Sequence, residues 1–154
     1  MNWHALLITM VVFQSACLAF DIPPSHAYAS EEDSTEFREN LLPAQQGDAK
    51  AQVFVAYLYE TGQGVTQNFT KAAEWYRRAA EQGNATAQAQ LGNMYYLGKG
   101  VPQNYVLSYM WLDLSARQGY KQALKLREIV AGKMSREQIG EAKRMAGMWK
   151  SKKK

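Results

Sequence analysis

Residues 48–83 read DAKAQVFVAYLYETGQGVTQNFTKAAEWYRRAAEQG, and residues 84–119 read NATAQAQLGNMYYLGKGVPQNYVLSYMWLDLSARQG. Laid over each other, the two stretches agree at Ala49 with Ala85, Ala51 with Ala87, Gln52 with Gln88, Tyr59 with Tyr95, Gly62 with Gly98, Gly64 with Gly100 and Val65 with Val101. The agreement continues through Gln67 with Gln103, Asn68 with Asn104, Trp75 with Trp111, Ala80 with Ala116, Gln82 with Gln118 and Gly83 with Gly119, always 36 positions apart. Self-similarity at one such period marks stacked supersecondary units, none of which buries its apolar face alone.

Each copy carries the signals of two helices. Asp48 and Asn84 follow a glycine or open an Ala-rich run, where a side-chain oxygen can satisfy a free N–H at a helix start. The runs Ala49 to Tyr59 and Ala85 to Tyr95 form the first helix, stopped at Gly62 and Gly98, where a left-handed residue is favoured. Asn68 and Asn104 cap a second helix. In the first copy its Ala72, Trp75, Tyr76, Ala79 and Ala80 share one face at spacings of three and four. Gly83 and Gly119 then turn the chain into the next unit. Ala79, Ala80, Ser115 and Ala116 let helix axes approach, and Trp75 and Trp111 are expected to fill the wider gaps. Truncating either Trp to Ala would then cost about 3–5 kcal/mol.

Outward from the copies the pattern decays. Ala44, Gln46 and Gly47 match Ala80, Gln82 and Gly83, so residues 36–47 read as a half-unit, with one helix from Phe37 to Gln46. After the second copy Ala123 still lies 36 beyond Ala87, but the glycine pair expected near Met134 and Arg136 is missing. Ser135 with Gln138 makes a capping box, and Ile139, Ala142, Met145, Ala146 and Trp149 make an apolar stripe. Residues 120–149 are therefore read as a divergent cap, which closes the face a last repeat leaves open. The repeat domain spans 36–149 with about six helices. It follows a disordered acidic linker over 20–35 and precedes a basic tail over 150–154.

With Ala-Gln, Tyr, Gly-x-Gly-Val, Asn, Ala-x-x-Trp-Tyr, Ala-Ala and Gln-Gly placed in that order, the chain resembles the Sel1-like repeat family, relatives of tetratricopeptide repeats. The match is strong from Gly47 to Gly119. The second copy departs from it at Leu107-Ser108-Tyr109-Met110-Trp111-Leu112, against Lys71-Ala72-Ala73-Glu74-Trp75-Tyr76 in the first. The resemblance implies an all-α fold, a short α/α solenoid of helix-turn-helix repeats. It also implies an adaptor or scaffold role in protein assembly, exported in bacteria, with links to envelope processes or host interaction. Some secreted relatives clamp each helix pair with a disulfide, which this chain has no cysteines to form there.

The ends carry the addressing signals. Ala5 to Phe13 is apolar apart from Thr9 and too short for a membrane span of about 20 residues. It reads as a signal-peptide core over residues 1–19, cleaved before Phe20 or as late as before Ser30. The stretch before it has no Lys or Arg, so an uncleaved N-terminal anchor is the alternative. Cys17 is the one cysteine, and Gln14 stands where a lipoprotein signal wants a leucine-like residue. A chain cut after Ala19 has no thiol, so packed helices alone must hold it. The expected location is periplasmic or secreted.

Charge is unevenly spread over the chain's net +4. Six acids face one Arg38 between Phe20 and Asn40, a net −5, and eleven bases face three acids from Lys121 to Lys154, a net +8. A solvated tail accounts for the basic end, with anionic lipid or cell-wall polymer as the alternative partner.

The folded part lacks the groups that common chemistries need. His4 and His26 are the only histidines and both precede it. A Ser-His or Cys-His nucleophile therefore has no base, and a zinc site has no ligands. Gly62-Gln63-Gly64 and Gly98-Lys99-Gly100 lack the third glycine and the preceding strand of a dinucleotide loop, and read as turns. Glu60, Glu74, Glu81 and Asp113 are expected to face water with no cleft to pair them. Asn68-Phe69-Thr70 and Asn84-Ala85-Thr86 are glycosylation sequons whose asparagines already serve as caps. No enzyme, metal, cofactor or nucleic-acid partner is expected. The expected function is that of a monomeric protein-binding adaptor. A surface-associated protein or a regulator of a cell-wall hydrolase is the alternative. Tyr59 and Tyr95 recur with the period and are assigned to packing, whereas Tyr57, Tyr96 and Lys99 vary between copies and are the candidate contact residues.

Overall fold

A computed structural model describes residues 34–151. The signal segment, Cys17, both histidines, residues 20–33 of the acidic linker and Lys152 to Lys154 lie outside the described residues. Seven helices, and no strand, make up the described chain: α1 (Thr35–Gln46), α2 (Ala49–Thr61), α3 (Phe69–Glu81), α4 (Ala85–Leu97), α5 (Tyr105–Arg117), α6 (Lys121–Ala131) and α7 (Arg136–Met148). That is one more than the roughly six expected, and the half-unit, the two complete pairs and the pair of helices read in the divergent cap account for all seven. The helix of the half-unit also starts at Thr35, the last residue assigned to the linker. Ser34 accepts from the Phe37 N–H and Thr35 is already helical.

The period of the sequence becomes a period of caps. Asp48, Asn68, Asn84 and Asn104 each accept a backbone N–H of the first turn of the helix they precede. Ser135 and Gln138 close the capping box of α7. Successive helices pack in order from α1 to α6, as antiparallel neighbours do when connections are short. The last helix breaks the rule. α7 lies chiefly against α5, and Trp149 beyond its end stacks edge-on with Trp111.

Each first helix is tied to its neighbours by a buried glutamine. Gln52 donates to the Ala44 carbonyl at 3.0 Å and accepts from Gln82 at 2.8 Å. Gln88, fully buried, repeats this with the Ala80 carbonyl at 3.2 Å and Gln118 at 2.8 Å. A buried amide satisfied at both ends fixes the register of stacked units. The third unit has exposed Leu124 at that position, and the ladder stops there.

The copies differ in a second network. In the first, fully buried Tyr76 donates to Glu60 at 2.8 Å and is hydrogen-bonded to the Gln90 side chain. Burial, reinforced by the Glu60 carboxylate, pushes this hydroxyl far above the usual tyrosine range and keeps it a donor. Thirty-six positions on, the three residues are Tyr96, Leu112 and Leu126. All three polar partners have been exchanged for an apolar set. Tyr76→Leu alone is expected to cost about 2–4 kcal/mol, because it strips Glu60 and Gln90 of their partner. Adding Glu60→Tyr and Gln90→Leu should recover a large part of that loss. Denaturant titrations in which the three substitutions simply add would refute the coupling.

Candidate functional site

Two surfaces present themselves. The first carries the variable residues of the first helices. Tyr57 on α2 is 40% exposed, and its phenol oxygen accepts from Gln63 at 3.3 Å. Tyr96 on α4 is half-buried, its ring 6.0 Å from that of Tyr105. Lys99 is exposed in the loop after α4, its ammonium 5.2 Å from the centre of the Phe69 ring. Of the three, Tyr57 keeps an exposed ring, and Tyr96 is turned into the packing of α4 on α5. Tyr59 and Tyr95 are buried, the former edge-on to Phe37 and the latter accepting from Arg77 at 3.0 Å.

The second surface lies along the turns between units. Where α1 ends, Gly47 with φ 103° turns the chain into α2, and the end of α3 packs alongside. Between them opens a cleft of about 310 Å³ lined by Ala44, Gln45, Gly47, Gln52, Arg78, Glu81 and Gln82. The Gln52–Gln82 bond lies at this cleft, and the Arg78 guanidinium covers the half-buried Trp75 ring at 4.5 Å. Arg78 is otherwise exposed, so this is a solvent-facing cation–π contact. The cleft joins residues 30 or more positions apart, and its two amides recur in the sequence only as glutamines of the repeat.

The acids expected to face water divide. Glu74 is exposed and Glu60 and Glu81 are half-buried, but Asp113 is 4% exposed. It is taken into the α5–α6 packing by two guanidinium groups, Arg117 at 2.6 Å and Arg127 at 2.7 Å. Hydrogen bonds from Arg127 to Glu128 and Asp113 hold that arginine above its usual range despite its partial burial. The signal that was missed is Arg127 itself, fourteen residues on and one helix away from the carboxylate it neutralises. Arg127 on α6 makes this an interhelical clamp, with Arg117 pairing to the same carboxylate along α5. Among the described residues no three His, Cys, Asp or Glu side chains gather as a metal would require. None of the described helices is long and apolar enough to cross a membrane.

Comparison with known proteins agrees with this geometry. The Sel1 repeat model matches residues 49–84 and 85–120, the two copies with their boundaries moved by one residue. A protective antigen present in uropathogenic Escherichia coli strains and displaying an SLR fold superposes with a TM-score of 0.72 at 32% identity, over 78% of this chain and 26% of its own. The present chain thus spans about a quarter of that antigen's length. A Sel1 repeat protein from Oxalobacter formigenes superposes with a TM-score of 0.58 at 35% identity, over 59% of this chain and 68% of its own. Among curated protein sequences none matches.

Proposed function

This chain belongs to the Sel1 repeat family, and we propose that it is a scaffold that binds another protein after export and carries out no chemistry of its own. Sel1 repeat proteins generally mediate protein–protein interaction, which supports the first part. Tyr57 carries the reading to a place on this molecule. It is a large aromatic residue exposed at 40% on the first helix of the first complete unit. Aromatic side chains are enriched in protein interfaces, because they bring large apolar area at little entropic cost. Support for export comes from the apolar run Ala5 to Phe13 and the small residues before Phe20 and Ser30.

A photo-crosslinking amino acid at position 57 is expected to trap one protein species in the exported fraction, and the same group at Glu74 on α3 is not. Equal labelling from both positions, or none from position 57, would remove Tyr57 from the contact. N-terminal sequencing of the exported chain should begin at Phe20 or Ser30. Recovery of an intact Met1 end would replace the cleaved form with the anchored one.

A further inference from the structure

Resting on the protein-binding reading, we propose that the cleft of the first unit binds an extended partner segment in which an aromatic residue is followed two positions later by serine or threonine. The second unit holds the corresponding groove, and there the chain fills it with its own end. The Trp149 indole packs against Trp111 with ring centroids 6.1 Å apart and planes at 73°. Its far edge lies 3.8 Å from where a Cβ on Gly83 would stand. Two residues on, the Ser151 hydroxyl donates to the Gln82 carbonyl at 3.2 Å. Trp149 has extended backbone, φ −68° and ψ 134°, so the chain leaves α7 as a short strap rather than as another turn of helix.

Moved back by one period, Gln82, Gly83 and Trp111 become Gln46, Gly47 and Trp75. The shift preserves the turn geometry, with φ 103° at Gly47 and 93° at Gly83. It also preserves the buried amide beneath, Gln52 for Gln88. What differs is the occupant. The first unit has Arg78 over its indole where the second has Leu114, and its cleft stands open among the described residues. At about 310 Å³ it is at the small end of ligand sites, which run roughly 300–1,000 Å³, and suits one ring with its flanking backbone. A ring entering it meets the guanidinium of Arg78, which lies over Trp75. A hydroxyl two residues on is directed by the same period toward the Gln46 carbonyl, beside the lining residues Gln45 and Gly47. The hydroxyl contact copies the one that Ser151 makes one unit away, whereas the ring, seated beside Gly47 as Trp149 is beside Gly83, meets a cation–π pair in place of a bare indole.

The probe is an end-blocked Gly-Trp-Gly-Ser-Gly peptide titrated into the ¹⁵N-labelled full chain. Saturable shifts at millimolar peptide are expected at the Gly47 amide, the Gln52 side-chain amide and the Trp75 indole. Replacing the peptide's Trp with Ala should weaken binding at least about tenfold, and replacing its Ser with Ala should weaken it severalfold. Gln45→Trp, on the exposed rim of the cleft, should abolish the shifts while thermal unfolding and crosslinking from position 57 persist. The absence of shifts at these groups overturns the proposal, as do shifts confined to Trp111 and Trp149. Peptide-independent shifts that grow with protein concentration, together with a dimer in sedimentation, would assign the cleft to Trp149–Ser151 of a second copy and overturn it too. Loss of the cleft with retained crosslinking at position 57 leaves the scaffold reading standing.

Discussion

Gly100→Ala is expected to lower stability by at least about 3 kcal/mol, and Gly98→Ala two residues earlier by about 1–2 kcal/mol. Both glycines have positive φ, 68° and 69°, a region that costs an L-residue about 1–2 kcal/mol. The difference lies in what a new methyl group would meet. At Gly98 it stops 3.3 Å from the Gln103 Cβ, a tight contact that a shift of a few tenths of an ångström in an exposed loop relieves. At Gly100 it lands on the Phe69 carbonyl and 2.8 Å from the Thr70 nitrogen. Those atoms belong to the first turn of α3, anchored by the Asn68 cap and by the buried face behind it. Neither backbone can retreat without parting the second unit from the first. The loop after α4 is thus an inter-unit contact as well as a turn, which gives Gly-x-Gly a packing role and no need of a phosphate. Denaturant unfolding of the two variants checks this. Equal losses would mean that positive φ, and not the close approach, decides the cost.

The period of 36 exposed most of the fold, because caps, stop glycines and buried alanines are local requirements that each unit must meet anew. Asn68 and Asn104 had to be caps whatever lay around them. What escaped is what depends on a partner from elsewhere in the chain. The stripe from Ile139 to Trp149 announced an amphipathic helix, yet nothing in a stripe states that it will lie on α5 and send Trp149 back to Trp111. Asp113 sits in a helix as any surface acid might, and only the arrival of Arg127 from α6 explains its burial. The exchange of Glu60, Tyr76 and Gln90 for Tyr96, Leu112 and Leu126 was there to be seen at the same offset. It is a departure from the repeat, however, and became a single event only when the three side chains proved to touch. Tyr57 could be singled out by its variation between copies. The cleft could not, since its walls come from the ends of α1 and α3.

The two repeat tryptophans should separate in the same way. From periodicity alone they are equivalent, and a truncation of either would cost about 3–5 kcal/mol. Trp111 is 7% exposed, belongs to the main core and also supports Trp149. Trp75 is half-buried, with one face covered by Arg78 rather than by apolar side chains. Trp111→Ala is therefore expected to cost the full amount, and Trp75→Ala about 1–2 kcal/mol, because much of the Trp75 ring gives up only contact with solvent and a flexible cation. For a chain of this size the larger loss corresponds to a fall of about 10–20 °C in the unfolding midpoint. Trp111→Ala carries a second, local consequence that Trp75→Ala lacks. Without the ring at 6.1 Å, Trp149 loses its seat, and the Ser151 to Gln82 bond loses the residue that positions it. Amide exchange over the last turn of α7 should rise in Trp111→Ala under conditions where α2 and α3 remain protected. Equal destabilisation by the two variants would show that the units are energetically interchangeable. Unchanged exchange at the end of α7 would show that the strap holds without the indole beneath it, and the template for the open cleft would then rest on Ser151 alone.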